Sequence, residues 1–290
     1  MKTLMIINPS SGRLFSKLKL MDALNVLCSY GHEIEIYITQ SAMDGHNKVK
    51  EKGENFDLVI ACGGDGTLNE ITSAIMTLKK KPYVGYFPSG TFNDFGTNFN
   101  LNGDWKEIAT RICENNPQPF DMGKCGNRYF DYVAAFGAFC DVPYSTNRKQ
   151  KETLGNLAYI LEAMTKLPEI EPVNVKMTID NETREFSALF GLVLSGNRAA
   201  HTELLSKEKG LVDDGEFNIL IVDYVNDILK IPNYLSLIAK QENKYCHWYR
   251  AKKVTFEFTK KTSWTLDGEE ADIDRKVTIY NKHKALKMLK

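Results

Sequence analysis

The chain has no surplus of charge. Its 37 Lys and Arg are matched by 37 Asp and Glu, for a formal net charge of zero. A dedicated nucleic-acid binder needs excess cations against phosphates, so the neutral balance argues against that class without excluding a local basic patch. Long apolar runs are also missing. No stretch approaches the ~18 residues needed to cross a bilayer as a helix, so any membrane role is expected to be peripheral. Cysteines are few: Cys28, Cys62, Cys113, Cys125, Cys140 and Cys246. No two form a CxxC pair, and none stands at zinc-finger spacing from a histidine. They read as small buried apolar residues in a reducing cytosol. The apolar run in the opening "MKTLMIINPS" is too short for a secretory leader and reads as a first strand.

What is present is an ordinary globular composition, 43% hydrophobic and 26% charged over 290 residues. That length is enough for one large or two ordinary domains with a sizeable core. Residues 3–8, "TLMIIN", 57–62, "DLVIAC", and 83–88, "YVGYFP", are continuous apolar runs, as in strands buried on both faces. "EIEIYIT", 33–39, alternates as a strand. Helical spacing marks 16–31, 42–53 and 67–78. Strands alternating with helices predict a parallel α/β layer. The texture changes near residue 117, and β-type segments dominate from about 121. "RYFDYVAAFG", "VNVKMTID", "EFSALFGLVLSG", "EFNILIVD", "KVTFEFTKKTSWTLDGEEADI" and "KVTIY" predict a largely antiparallel second domain, with a hairpin about Asn181. "LAYILEAMTKL" and "VNDILKIPNYLSLIAK" interrupt it as helices. The final "HKALKMLK" reads as a short amphipathic helix returning to the first domain.

Three of the apolar strands end in polar loops. "NPSSG", 8–12, "CGGDGTLNE", 62–70, and "PSGTFNDF", 88–95, lie on one edge of a parallel sheet, where open α/β sheets bind ligands. Glycine admits positive φ and close approach of the backbone, and amides at a helix start favour phosphate. No Lys-Ser/Thr follows the glycines, so this is not the Walker pattern; nor is it GxGxxG. Asn8, Ser10, Thr67, Thr91 and Asn93 supply hydroxyl and amide groups. Asp65, taken alone, reads equally as a turn residue or as a carboxylate beside a phosphate-bound Mg²⁺. Asp94 and Asp121 supply two further carboxylates. Asp267 and Glu269 flank Gly268 at a tight turn or strand kink; two such neighbours raise one another's pKa and suit proton abstraction, while an exposed acidic hairpin tip is the plainer reading.

The ordered set "NPSSG", "GGDGTLNE", "PSGTFNDF", "DMG", "LVDDGEF" and "LDGEE" resembles the diacylglycerol-kinase-like lipid kinases, in particular their soluble bacterial branch. "GGDGT" by itself is shared with NAD kinases. The resemblance implies an α/β plus all-β fold: an N-terminal nucleotide-binding domain over 1–120, a β-sandwich-like lipid-substrate domain over 121–280, a tail 281–290 returning to the first, and an active site in the cleft. ATP would lie along Asn8, Pro9, Ser10, Ser11 and Gly12 and along Gly63, Gly64, Asp65, Gly66, Thr67, Leu68 and Asn69, with Thr39, Thr91 and Asn93 contributing. Asp65, Asp94 and Asp121 would organise a catalytic Mg²⁺. Glu269 would be the base and Asp267 its partner. A second, structural Mg²⁺ would be held by the Asp214 side chain and the carbonyls of Leu211 and Glu216.

The implied activity is ATP-dependent phosphorylation of a lipid hydroxyl, foremost that of diacylglycerol, by a cytoplasmic enzyme that visits the inner face of the membrane. Phosphatidylglycerol or another lipid alcohol, NAD kinase, and a catalytically silent nucleotide-binding regulator are the alternatives. A homodimer is left open. His201, Arg13, Arg128 and Arg148 read as surface groups.

Overall fold

The computed structural model describes residues 1–11, 17–90, 93–101, 103–114, 117–138, 140, 171–199, 202–205, 210–225 and 244–290. Arg13, Arg148, His201, Gly12, Thr91, the stretch "LAYILEAMTKL" and most of "VNDILKIPNYLSLIAK" lie outside them. The chain divides into two compact units, one formed by Met1–Met122 and His283–Lys290, the other by Gly123–Lys282.

The first unit carries strands β1 (Lys2–Ile7), β2 (Glu33–Ile38), β3 (Leu58–Gly63) and β4 (Tyr83–Pro88), all parallel, in the order β4-β3-β1-β2. β1 and β3 are buried almost throughout, which is why their sequences run apolar without alternation. Helices α1 (Lys17–Ser29), α2 (Asp44–Lys52), α3 (Asp65–Ile75), α4 (Asp94–Asn98) and α5 (Trp105–Glu114) connect or follow the strands. α5 has no counterpart in the sequence reading, although Trp105, Ile108, Ala109 and Ile112 are buried at helical spacing. From β1 the chain moves outward to β2, then crosses back to β3 on the other side. That reversal makes the carboxyl ends of β1 and β3 a topological switch point.

β5 (Gln118–Cys125) and β17 (Lys276–Met288) run across the division between units. The second unit is antiparallel. It contains β6 (Arg128–Phe130), β7 (Val133–Gly137), β8 (Val173–Ile179), β9 (Glu182–Leu194), β10 (Arg198–Ala199), β11 (Thr202–Glu203), β12 (Phe217–Asp223), β13 (Cys246–Ala251), β14 (Lys253–Phe258), β15 (Trp264–Leu266) and β16 (Glu269–Ala271). The main order is β16-β15-β7-β9-β8-β14-β17, with β13 on β12 and β12 on β9. Phe136 packs against Phe256, Phe258 and Trp264 at ring separations of 5.1–5.3 Å in its core. The expected hairpin turns at Asp180 and Asn181, both at positive φ (49° and 68°), as a type I′ turn requires. A parallel α/β unit and an antiparallel β-rich unit are thus both present, as the sequence predicts.

The tail is a correction. "HKALKMLK" is not a helix: it continues β17 to Met288, which pairs in parallel with Val84. Leu286 and Met288 are buried and Lys287 is exposed, so the same apolar residues obey a period of two rather than 3.6. The β-type segment "RYFDYVAAFG" forms two strands, with a break at Asp131 and Tyr132.

Candidate active site

The three polar loops of the first unit are fastened to one another. Asn8, just past β1, donates its backbone N–H to the Cys62 carbonyl at 2.9 Å and its side-chain amide to Thr67 Oγ1 at 3.0 Å. Its Oδ1 accepts from the N–H of Ser10 at 3.0 Å. Ser11 Oγ bonds the Asn8 carbonyl at 3.0 Å and shares a hydrogen bond with Ser89 Oγ at 2.9 Å. Ser89 in turn donates its N–H to the Gly63 carbonyl at 2.8 Å. The loops after β3 and β4 meet backbone to backbone: a Cβ on Gly90 would stand 2.6 Å from Gly64 Cα, so only glycine fits there. Asn93, at φ 56°, ties its loop by accepting from Tyr86 Oη and the Gly90 N–H, both at 3.0 Å. Thr39 is buried at the end of β2 and donates to the Ile7 carbonyl. Leu68 faces the core, while Pro9 and Ser10 are exposed. Beneath the loop, burial pushes the Cys62 thiol far up, which keeps it an inert packing group.

Asp65 is the first residue of α3, with Gly64 as its N-cap. Its carboxylate accepts the N–H groups of Asp94 (3.1 Å) and Phe95 (3.3 Å), the first two residues of α4. Asp94 and Asp121 are each only 1% exposed. Phe120 packs on Phe95 at 5.3 Å and on Phe99 at 5.7 Å, which brings the start of β5 against α4. Asp121 Oδ1 accepts from the Lys284 N–H at 2.7 Å and bonds His283 Nδ1 at 3.1 Å. Lys284 has φ 49°, a left-handed kink within β17. Ser89, Gly90 and His283 are structural members that sequence reasoning missed. The first two stood inside the quoted "PSGTFNDF". His283 has no local signature, because its role depends on where the tail lands.

In the second unit Asp267 and Gly268 (φ 49° and 85°) form the two-residue turn between β15 and β16. Asp267 turns its carboxylate inward, where it accepts the N–H groups of Asp131 (2.6 Å), Tyr132 (3.0 Å) and Val133 (3.0 Å). Those bonds take up the amides at the break between β6 and β7. Glu269 is exposed. The pair is therefore split into an inward and an outward carboxylate. Arg128 donates to the Glu270 carbonyl at 2.8 Å. Asp214 Oδ1 accepts from the Glu216 N–H at 3.0 Å and Oδ2 accepts from Arg250 at 2.6 Å; Arg250 also meets Glu216 at 3.0 Å. The positive charge against the Asp214 side chain is the chain's own guanidinium, while the Leu211 and Glu216 groups expected to face a second Mg²⁺ are backbone carbonyls, which this ion pairing does not use. Among the described residues no cluster of three or more His, Cys, Asp or Glu side chains is arranged for a metal.

A glycine-lined loop system at the switch point of a parallel sheet, in a chain that also carries a separate antiparallel unit, has the plan of a two-domain kinase. Residues 2–125 match the diacylglycerol kinase catalytic domain. A diacylglycerol kinase of Staphylococcus saprophyticus subsp. saprophyticus is 32% identical over 269 residues, spanning 91% of this chain and 87% of that protein. A Staphylococcus aureus (strain JH9) diacylglycerol kinase is also 32% identical, over 91% and 84%. A crystal structure of a diacylglycerol kinase from Bacillus anthracis str. Sterne superposes with a TM-score of 0.80 at 21% identity, covering 99% of this chain and 96% of the other. A further structure from that organism gives 0.85 at 24%, covering 99% and 94%; both establish likeness of fold. The chain belongs to the diacylglycerol kinase family and is a lipid kinase.

Proposed function

We propose that the enzyme transfers the γ-phosphoryl group of ATP to the hydroxyl of diacylglycerol, giving phosphatidate. The observation that carries this reading is the interlocked loop system at the carboxyl ends of β1, β3 and β4, tied by the Asn8–Thr67, Ser11–Ser89 and Asp65–α4 bonds. Phosphoryl transfer asks mainly for positioning and charge neutralisation, and a cradle fixed before the nucleotide arrives supplies the first. In this reading Asn8, Pro9, Ser10 and Ser11, the loop Gly63–Asn69 (Leu68 only through its backbone, its side chain being in the core), Thr39 and Asn93 line the nucleotide, with Gly12 and Thr91 assigned from sequence.

In this reading the side-chain oxygens of Asp65, Asp94 and Asp121 would hold Mg²⁺, an ion that takes oxygen ligands, although the structure does not gather the three as a ready metal cluster. Bound there, the ion would offset negative charge on the phosphates. The chain's own part is to hold the carboxylates: α4 amides aim Asp65, and the Lys284 amide and His283 aim Asp121. Glu269 is the proposed acceptor of the hydroxyl proton, and its exposure leaves it open to a lipid alcohol. Asp267 supports by shaping the turn on which Glu269 stands. No helix among the described residues is long and apolar enough to cross a membrane, and the proposed enzyme takes its substrate at the bilayer surface.

The test is purified protein with labelled ATP, offered diacylglycerol micelles, phosphatidylglycerol or NAD, with products identified by mass. Phosphatidate is the expected product, and phosphorylation of NAD alone refutes the reading. Glu269→Gln should lower turnover by about 10²–10⁴-fold, the span of general-base contributions; unchanged turnover removes Glu269 from that role.

A further inference from the structure

Arg128 reads from the sequence as a surface group, and its side chain is exposed. The structure ties it to the acid turn. Its guanidinium donates to the Glu270 carbonyl at 2.8 Å, just beyond Glu269. Further along the chain from Arg128, the amides of Asp131, Tyr132 and Val133 hold the Asp267 carboxylate, just before Glu269. Segment 128–133 thus grips the turn on both sides of Glu269. Strand alternation sets the two side chains on a common side. Arg128 and Phe130 are alternate residues of β6, as Glu269 and Ala271 are of β16. Phe130 and Ala271 belong to one buried cluster, so Arg128 and Glu269 stand at the rim of the same core.

Capping one carbonyl uses one donor of a guanidinium that has several. Among the described residues Arg128 has no ion-pair partner, although Glu269 and Glu270 are its neighbours at the turn. A planar fork anchored at one corner, with donors to spare, suits an oxyanion. Diacylglycerol reaches Glu269 neutral and leaves as phosphatidate, so the anion this corner must meet is the transferred phosphoryl group. We infer that Arg128 is a catalytic residue that donates hydrogen bonds to the oxygens of that group as it reaches the lipid hydroxyl. This rests on the reading of Glu269 as the base. In the step, the hydroxyl oxygen bonds to phosphorus and its proton passes to the Glu269 carboxylate. The bond from phosphorus to the ADP oxygen breaks, and its electron pair leaves with ADP. Arg128 makes and breaks no covalent bond; it offsets charge on the oxygens in flight. The Glu270 carbonyl holds the fork in place beforehand, so it needs no reorganisation when that charge arrives. A neutral acceptor offers the guanidinium nothing, so Arg128 acts on the transition state and the product rather than on lipid binding.

The test is steady-state kinetics of the full chain on diacylglycerol in mixed micelles, with Arg128 replaced. Arg128→Gln keeps a donor for the Glu270 carbonyl but loses the charge and the fork. Its kcat should fall by about 10²–10³-fold, the usual cost of one preorganised donor to a transition state, while the KM for diacylglycerol stays near the parent's. Inhibition by short-chain phosphatidate should weaken by about tenfold or more, as for a lost hydrogen bond to a charged group. Arg128→Lys, which keeps the charge without the fork, should recover part of the turnover. Millimolar guanidinium should restore part of it in Arg128→Ala and none in Glu269→Gln. Urea unfolding of the second unit should be unchanged in Arg128→Gln, which separates lost chemistry from lost fold. Arg128→Gln with the parent's kcat overturns the inference. So does a raised KM for diacylglycerol with kcat unchanged, which would make Arg128 a lipid-binding group. An active parent whose turnover ignores Arg128 removes this inference alone, whereas a parent that phosphorylates no lipid alcohol removes the proposed function with it.

Discussion

Substituting Asp267 should injure the fold, whereas substituting Glu269 should not, although the two stand either side of one glycine. Asp267 is 7% exposed and takes three backbone N–H groups at 2.6–3.0 Å. Hydrogen bonds to a charged acceptor contribute ~1.5–3 kcal/mol, and a buried N–H left unmet costs about 1–3 kcal/mol. Asp267→Asn keeps the shape but offers one carbonyl oxygen and turns an NH₂ towards a donor, so a loss of ~1.5–3 kcal/mol is expected. Asp267→Ala strands all three amides and should cost ~3–5 kcal/mol, a large part of the ~5–15 kcal/mol typical of a domain. Two units need not melt together, so the readout must belong to the second unit. Trp248 and Trp264 lie there and Trp105 lies in the first, so urea titration followed by tryptophan fluorescence in a Trp105→Phe background isolates it. Exchange at the amides of 131–133 should quicken in both Asp267 variants. Glu269→Gln should stay within ~0.5 kcal/mol, as exposed substitutions do. If Asp267→Asn is as stable as the parent, the carboxylate does not hold the 131–133 turn, and the division of labour proposed for the pair is wrong.

Gly90→Ala should push the loops after β3 and β4 apart, because the added methyl meets Gly64 backbone at 2.6 Å; the KM for nucleotide should rise and the first unit should lose about 1–3 kcal/mol, and unchanged kinetics would disconnect these loops from nucleotide binding. His32, which bonds Thr3 Oγ1 at 2.8 Å, has its pKa lowered by burial first and by the N-terminal ammonium second. The unfolded chain therefore binds more protons as pH falls below about 6.5, so this stability is complete above that pH and drains away as pH drops through the folded value. Melting temperature between mildly alkaline and mildly acidic pH should fall more steeply for the parent than for His32→Gln; equal slopes would discount His32. Chelation of divalent cations should leave melting of the second unit unchanged, because Arg250 already neutralises Asp214, whereas Arg250→Met should make that unit respond to Mg²⁺. A parent destabilised by chelator would support a metal at that turn.

The strand–loop–helix rhythm of the first unit was legible because buried parallel strands advertise themselves as unbroken apolar runs, as in "DLVIAC" and "YVGYFP". The Asp180–Asn181 turn was legible because its residues tolerate positive φ. What failed to show depends on distant parts of the chain. Leu286 and Met288 satisfy helical and strand periods alike over so short a stretch, and the neighbour at Val84 decides between them. The split of "RYFDYVAAFG" into two strands is decided by a carboxylate some 130 residues away in sequence. The same holds at the site. Candidates could be named from residue type and order, but which acid faces backbone amides and which faces solvent is fixed by partners such as His283 and Arg250, which no local pattern announces.

Asp65 illustrates why a carboxylate belongs in a phosphate-type cradle at all. It opens α3, so it sits among outward-pointing amides at the start of that helix, where negative charge is favourable. It then satisfies the first two amides of α4, donors that no turn of that five-residue helix can meet for itself. One side chain thus joins the loop after β3 to the loop after β4, and Gly64 against Gly90 leaves the two backbones no room to slide. Asparagine at 65 would keep the size and one acceptor but lose the charge and set an NH₂ against an N–H. Such a change should loosen α4 and displace Asp94 together with any ion it helps to hold. Kinase activity and the exchange rate of the Asp94 and Phe95 amides should therefore change together in Asp65→Asn. Loss of activity with both amides still protected would show that the carboxylate matters only for charge, and that its bridging of the two loops is incidental.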